Sequence, residues 1–583
     1  MTPILDPRDG DIEDDASSPH QRSWLALAGS LFAEISLPKL IAIWVMLLVL
    51  PALLIGISPL VVTAWVLAVW SHTASLLTEI WPIFLLPVLA LLGWFGGKRL
   101  LRAAEDSFWS LNALAVQPVY VIGREGLRHL VESLLPGDLR PTWRARVRAL
   151  SAAAAGLLVF AVCAGLAALL WPATKLVGSI EILTTAHLLI PELLANSISV
   201  IAAYCAVAAL VWGVGDALMA QPRDLGTLEP AQPGERVWRV AHLSDLHTVG
   251  EQYGFRIESG RDGPRGNERL AMTLARLNAV HAERKLDVVL ITGDLTDAGR
   301  SAEWAEFFTA LSAYPDLAAR VVALPGNHDV NVVDRASPAR MDTPMSPTKR
   351  LRQLRTLSAL ERLQGTRLRV MDDAALGATL SEALRPHAAS TAAFADTGGP
   401  RRRSHELAEV WDTIYPMVLP PEAEDGLGIV VMNSNAETHF SFTNALGIVS
   451  TRQADRILAA TALYPRACWI LALHHHVIEY PQKANALSMR IGTALINGSW
   501  MIRRLGRLAG KVVLMHGHRH VDWVGTCGGL LIVSAPSPVM GSASGPEPYF
   551  YVHSLAVGTD GALQLRQAEK VTLGNTNDLG QPI

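Results

Sequence analysis

Short runs rich in Val, Ile and Leu recur after Val237: RVAHLS (239–244), DVVLIT (287–292), RVVALP (320–325), GIVVMN (428–433), WILAL (469–473), KVVLM (511–515) and LLIVSAP (530–536). Each has the length of a strand, and the β-branched content favours that reading over a buried helical turn. Between several of them lie helix-like segments such as NERLAMTLARLNAVHAE (267–283) and TRQADRILAATAL (451–463). Nearly continuous apolar strands, some separated by helices, require sheet covered on both faces, and therefore a layered α/β domain.

The residues just past each run narrow the chemistry. After 239–244 come Asp245 and His247, after 287–292 Gly293 and Asp294, and after 320–325 Gly326, Asn327, His328 and Asp329. The run 469–473 leads into His474, His475 and His476, and 511–515 into His516, Gly517, His518, Arg519 and His520. Ligands gather outside the carboxyl ends of strands in open α/β sheets, so clusters at these strand ends point to one shared site. In an extended chain residues i and i+2 face the same way, which would aim Asp245 with His247, and His518 with His520, into a common pocket. Gly293, Gly326 and Gly517 would let the backbone turn tightly there.

The donors are Asp, Asn and His, an oxygen and nitrogen set suited to Mn, Fe or Zn and unlike a structural Cys-zinc knot. They are too many for one ion and about right for two divalent ions held by a bridging carboxylate. The cysteines Cys163, Cys205, Cys468 and Cys527 are widely spaced and form no CxxC, so neither a disulfide framework nor a thiolate metal site is expected. A net charge of −3 offers no basic field for nucleic acid.

The ordered set D-x-H, G-D, G-N-H-D, H-H, G-H-x-H resembles that of the calcineurin-like metallophosphoesterases over about 237–540, an insertion excluded. GDLTDAGRSAEW (293–304) and SAPSP (534–538) are most similar to bacterial class III cyclic-nucleotide phosphodiesterases and their relatives. The resemblance implies a four-layer αββα domain over 236–583 that hydrolyses a phosphoric ester, a phosphodiester more than a monoester, with metal-activated hydroxide. It implies that Asp245, His247 and His520 bind one ion, that Asn327, His474 and His518 bind the other, and that Asp294 bridges them. His328 would face the substrate phosphate as a catalytic group, oriented by Asp329. Relatives often read H-H-P-P where this chain reads HHHVIEYP, so His475 stays open as an alternative to His474.

The first third is of another kind. Crossing a bilayer takes roughly 20 apolar residues in a helix, and 40–60, 81–97, 150–171 and 196–219 approach or meet that. The apolar stretch runs on from Leu40 to Trp70, and reads as one helix kinked or ended near Pro51 or Pro59 with its remainder along the interface. An acidic tail, 1–39, precedes this region of about four helices, 40–222. Lys98, Arg99, Arg102, Arg124, Arg128, Arg140, Arg144, Arg146 and Arg148 crowd one connection, which places it and the C-terminal domain in the cytoplasm by the positive-inside rule, at a bacterial inner membrane.

The insertion, 331–427, includes SPTKRLRQLRTLSALERLQG (346–365), which reads as a helix with a Leu stripe and a solvated basic face of Lys349, Arg350, Arg352, Arg355 and Arg362. That face could instead cap the site or dock on anionic membrane lipid, as could Arg401, Arg402 and Arg403. Three functions are compatible with these features: a membrane-anchored phosphodiesterase for a cyclic nucleotide or other small diester; a phosphodiesterase or pyrophosphatase for a lipid headgroup; and a non-catalytic metal-binding sensor or scaffold, which would have no use for His328.

Overall fold

Every apolar run singled out after Val237 is a strand, because each can bury both faces between layers. The computed structural model describes residues 49–73, 117–134, 141–232, 234–251, 267–333, 347–397, 401–438, 441, 444–481, 495–540 and 547–574. They fall into two units that divide between Met219 and Ala220.

In the second unit the strands are β1 (Arg223–Asp224), β2 (Val237–Leu243), β3 (Val288–Ile291), β4 (Val321–Ala323), β5 (Arg369–Met371), β6 (Leu376–Thr379) and β7 (Met417–Leu419), then β8 (Leu427–Val431), β9 (Cys468–Ala472), β10 (Val512–His516), β11 (Trp523–Cys527), β12 (Leu530–Ser534), β13 (Tyr549–Val557) and β14 (Leu563–Thr572). They form two mixed sheets, in the orders β1-β11-β12-β10-β9-β8-β7-β5-β6 and β14-β13-β2-β3-β4. The chelating segments all leave parallel strands: β2, β3 and β4 in the smaller sheet, β9 and β10 in the larger. One apolar cluster draws on both sheets, through Val240, Val289 and Val322 on one and Ile429, Ile470 and Val513 on the other. The strand β14 is not legible from hydropathy, since it is an antiparallel edge whose buried and exposed residues alternate.

The insertion corrects the expected basic face. Its helix, Pro347–Gln364, buries Leu354, Leu357 and Leu360 on one side, yet Lys349, Arg350, Arg352 and Arg355 are buried too. Lys349 Nζ donates to the Thr438 carbonyl at 2.8 Å, Arg352 Nε to the Val330 carbonyl at 3.3 Å, and Arg362 stacks 4.2 Å from the Phe308 ring centroid. The helix is wedged between the core and the loops after β4 and β8, so Lys349, Arg350, Arg352 and Arg355 cannot serve a lipid surface, whereas Arg362 stays exposed. Arg402 is exposed and pairs with Glu406 at 3.0 Å.

In the first unit, α1 (Leu50–Thr73), α2 (Gln117–Leu134), α3 (Pro141–Leu170) and α4 (Ala186–Ala217) are described. α1 departs from the expected 40–60 helix: it runs unbroken through Pro59 to Thr73. Proline removes an amide from the ladder, and Ser58 donates its hydroxyl to the Leu54 carbonyl beside the break. The expected span 81–97 and the tail 1–39 lie outside the described residues.

Among the described residues two helices are long and apolar enough to cross a membrane, Trp143–Ala173 with the short turn that ends α3, and Ala186–Ala217. Only 11% of the first one's most apolar window is buried and 33% of the second's, unlike the core helix of a globular domain. α2 turns its charges inward: Tyr120 donates to Asp216 at 3.0 Å, Arg124 reaches Asp216 at 2.6 Å, and Arg128 meets Glu132 at 3.1 Å. Two arginines counted for orientation are therefore paired inside a helical packing rather than loose in a loop.

Candidate metal centre

The strand-end residues converge, though not by the extended geometry expected. Asp245, His247, Asp294, His518 and His520 have φ of 56°, 43°, 50°, 73° and 54°, and among the described residues no other non-glycine has positive φ. Each left-handed L-residue costs on the order of 1–2 kcal/mol. Side chains at i and i+2 are thus aimed by successive left-handed turns, not by a strand's alternation. Such strain persists where surrounding structure over-determines it, and it concentrates at functional sites.

Close backbone approach makes this crowding workable. A Cβ on Gly326 would lie 2.1 Å from both the amide nitrogen and Oδ1 of Asp294, so only glycine lets the β4 loop meet the β3 loop. Gly293, at φ 96°, supplies the turn that frees Asp294. Ser537, from the SAPSP stretch, donates to the Asp245 carbonyl at 2.7 Å and fastens a third loop to the site.

The side chains fall into two groups that share a carboxylate. Asp245, His247 and His520 form one, with His520 Nε2 3.2 Å and His247 Nε2 4.0 Å from Asp245 Oδ1. Asp294, His474 and His518 form the other, with His474 Nε2 3.3 Å from Asp294 Oδ2, 3.0 Å from His518 Nδ1 and 3.0 Å from Asn327 Oδ1. Asp294 Oδ2 also lies 3.9 Å from His247 Nε2, so one oxygen faces both groups. His474 Nδ1 donates to the Thr292 carbonyl at 2.8 Å, which leaves its Nε2 lone pair turned inward. His475 is directed away and pairs with the Ser434 hydroxyl at 2.9 Å.

Electrostatics mark the cluster as a place for cations. Burial alone would raise the Asp245 carboxyl, but the facing His520 outweighs it and holds the group at about 2. Asp294 is likewise held well below the carboxylate range, against burial, by His474 and His328. Burial would lower His474, yet Asp294 beside it raises it to about 9. Asp245 Oδ1 and His518 Nε2 are buried without a hydrogen-bond partner. Imidazole nitrogens converging on ionised carboxylates, with buried polar atoms left unsatisfied among them, fit divalent ions.

The group behind His328 differs from the expected one. Asp329 does not touch it: its carboxylate accepts from the Thr296 amide (2.9 Å), the Thr296 hydroxyl (2.6 Å) and the Gly326 amide (2.8 Å). It clamps the β3 loop to the β4 loop, and burial, then neighbouring Asp294, push it up to about 6. Asp297 stands behind His328 instead: its carbonyl accepts from His328 Nδ1 at 2.7 Å. Its carboxylate Oδ1 lies 3.3 Å from His247 Nδ1. The strand-end pattern does not single out Asp297, although GDLTD places it three residues past Asp294. Asp245 and His474 form a fully buried floor, while the side chains of His328, 11% exposed, and His520, 32% exposed, form the rim.

Residues 239–375 match the family described as Calcineurin-like phosphoesterase. Comparison with curated proteins gives no match. Among solved structures, a dimetal phosphatase from Danio rerio is 13% identical, covering 58% of this chain and 99% of its own, with a TM-score of 0.32. A purple acid phosphatase from yellow lupin (Lupinus luteus) seeds is 13% identical, covering 59% of this chain and 55% of its own, with a TM-score of 0.27.

Proposed function

We propose, from the premise that this chain carries a calcineurin-like metallophosphoesterase domain, that it is a membrane-anchored hydrolase of phosphoric esters with a preference for small diesters. The observation that carries this reading is the pair of ligand groups sharing the Asp294 carboxylate. Asp245, His247 and His520 would hold one divalent ion, Asn327, His474 and His518 the other, with Asp294 between them. Bound there, such ions supply Lewis-acid polarisation of a phosphoryl oxygen and lower the pKa of a water.

The chain's own groups do the rest. The rim position of His328 suits approach of a phosphoryl group from outside. With Nδ1–H donated to the Asp297 carbonyl, the imidazolium form carries a second proton on Nε2, which it gives to the leaving oxygen, ending as the neutral Nδ1–H imidazole. Asp297 keeps His247 oriented through its Nδ1. Asp329 keeps the two loops together. α3 and α4 support an anchor, and the arginines at the start of α3 support a cytoplasmic position for that end. The lipid-headgroup reading loses much of its support, since Lys349, Arg350, Arg352 and Arg355 of the insertion helix are buried and Arg362 alone of that set is exposed.

The test uses the full-length protein, stripped with a chelator and resupplied with Mn, acting on bis(p-nitrophenyl) phosphate and p-nitrophenyl phosphate. Mn-dependent turnover, faster on the diester, is expected. No metal-dependent turnover on either ester would defeat the proposal, and faster monoester turnover would defeat the diester preference.

A further inference from the structure

A second cavity, of about 270 Å³, opens where the edges of the two sheets meet, between β11, the end of β12, β13 and β14. Asp522, Trp523, Ser534, Tyr551, His553 and Gln567 line it, and among the described residues no Lys or Arg does. Tyr551 donates to Asp522 Oδ2 at 2.9 Å, and the Trp523 indole N–H donates at 2.7 Å to Asp224 Oδ1. Asp522 thus brings a carboxylate to the aromatic lining, while Asp224, outside the lining, holds the Trp523 indole in place. His553, 2% exposed, adds no positive charge, because burial pushes its imidazole down to about 4. The neighbouring wall already receives a cation from the chain itself: Lys570 Nζ stands 3.6 Å from the Tyr549 ring centroid.

A carboxylate beside Trp and Tyr side chains, in a pocket whose described lining holds no Lys or Arg, suits an ammonium group. The cavity also connects to the metal centre. Asp522 lies two residues past His520. Ser534, at the cavity wall, shares a 2.7 Å hydrogen bond with the Tyr480 hydroxyl, and Tyr480 stacks on both Trp523 and His516. An occupant pressing on Asp522 and Trp523 therefore bears on the loop that carries His518 and His520.

We propose that this cavity is an effector site for a small organic cation of the alkylammonium class, coupled to metal binding through the loop from His516 to Asp522. The cavity's binding chemistry is independent of what the metal centre catalyses, while the coupling rests on the ligand assignment above.

Calorimetry on the full-length protein with choline, and with its uncharged isostere 3,3-dimethylbutan-1-ol, tests the site without turnover. Choline is expected to bind at least tenfold more tightly than the isostere, and Asp522→Asn to weaken choline by tenfold or more. Gln567→Trp, at an exposed lining position, is expected to block choline without altering the carboxylate. Equal binding of the isostere, full choline affinity in either variant, or no choline binding at all would overturn the site. Coupling is read as a change of threefold or more in the Mn concentration for half-saturation when choline is present, measured by metal binding. An unmoved Mn titration alongside choline binding would overturn the effector role alone.

Discussion

His247 Nδ1 and Asp297 Oδ1 stand 3.3 Å apart beneath the metal centre, and the same aspartate holds His328 Nδ1 with its backbone carbonyl at 2.7 Å. One residue therefore sets two imidazoles by two different groups, a ligand candidate through its carboxylate and the rim histidine through its main chain. The carboxylate also stands 4.0 Å from His328 Nδ1, so a substitution of the side chain bears on both imidazoles, and on His247 more closely.

Asp297→Asn is expected to raise the Mn concentration for half-maximal activity by about 10–100-fold, the usual cost of removing a group behind a metal ligand. The carbonyl contact to His328 survives that substitution, but the carboxylate also stands 4.0 Å from His328 Nδ1, so the limb of the pH profile that reports His328 should shift to lower pH. A Mn titration at several pH values checks both, and an unaltered half-saturation would count against a role for the carboxylate.

His328→Ala should keep its metal and lose about 10²–10⁴-fold in turnover on a diester with an alkyl leaving group, the range of a general acid. The loss should shrink with p-nitrophenolate, which leaves without needing a proton. Elemental analysis together with the two rates decides; equal losses on both esters would assign His328 to binding instead.

Gly326→Ala would place a Cβ 2.1 Å from Asp294 Oδ1. Overpacking of this kind costs about 1–3 kcal/mol, and here the displaced group is the shared carboxylate. Lower metal content than wild type, at equal protein, is expected from elemental analysis, with a lower thermal midpoint.

Acid should destabilise the fold partly through His553, which burial lowers from 6.5 to about 4. The unfolded chain binds the proton first as pH falls, so stability is complete above pH 6.5 and declines between 6.5 and 4. By pH 5 this amounts to about 2 kcal/mol, at 1.36 kcal/mol per unit. In chelator-treated protein, His553→Phe should show a smaller fall in thermal midpoint from pH 7.5 to 5 than wild type. A parallel fall in both would remove His553 from the account.

The amino-acid order by itself determined which segments become the central strands and which residues lie at their ends. Runs such as WILAL and KVVLM can satisfy their burial only inside a sheet, and the residues after them are fixed by covalent connection. It also determined that α3 and α4 each carry a stretch long and apolar enough to cross a membrane. Tertiary structure decided everything that depends on partners distant in the chain. The left-handed backbone at Asp245, His247, Asp294, His518 and His520 exists because other loops hold it. Asp297, to which the strand-end pattern gave no part, stands behind His328 in place of Asp329 because the β3 and β4 loops meet through Gly326, a contact no local pattern records. Lys349, Arg350, Arg352 and Arg355 of the insertion helix are buried for the same reason. A hydropathy pattern assigns a residue its polarity, and only the packing of another element decides whether water reaches it.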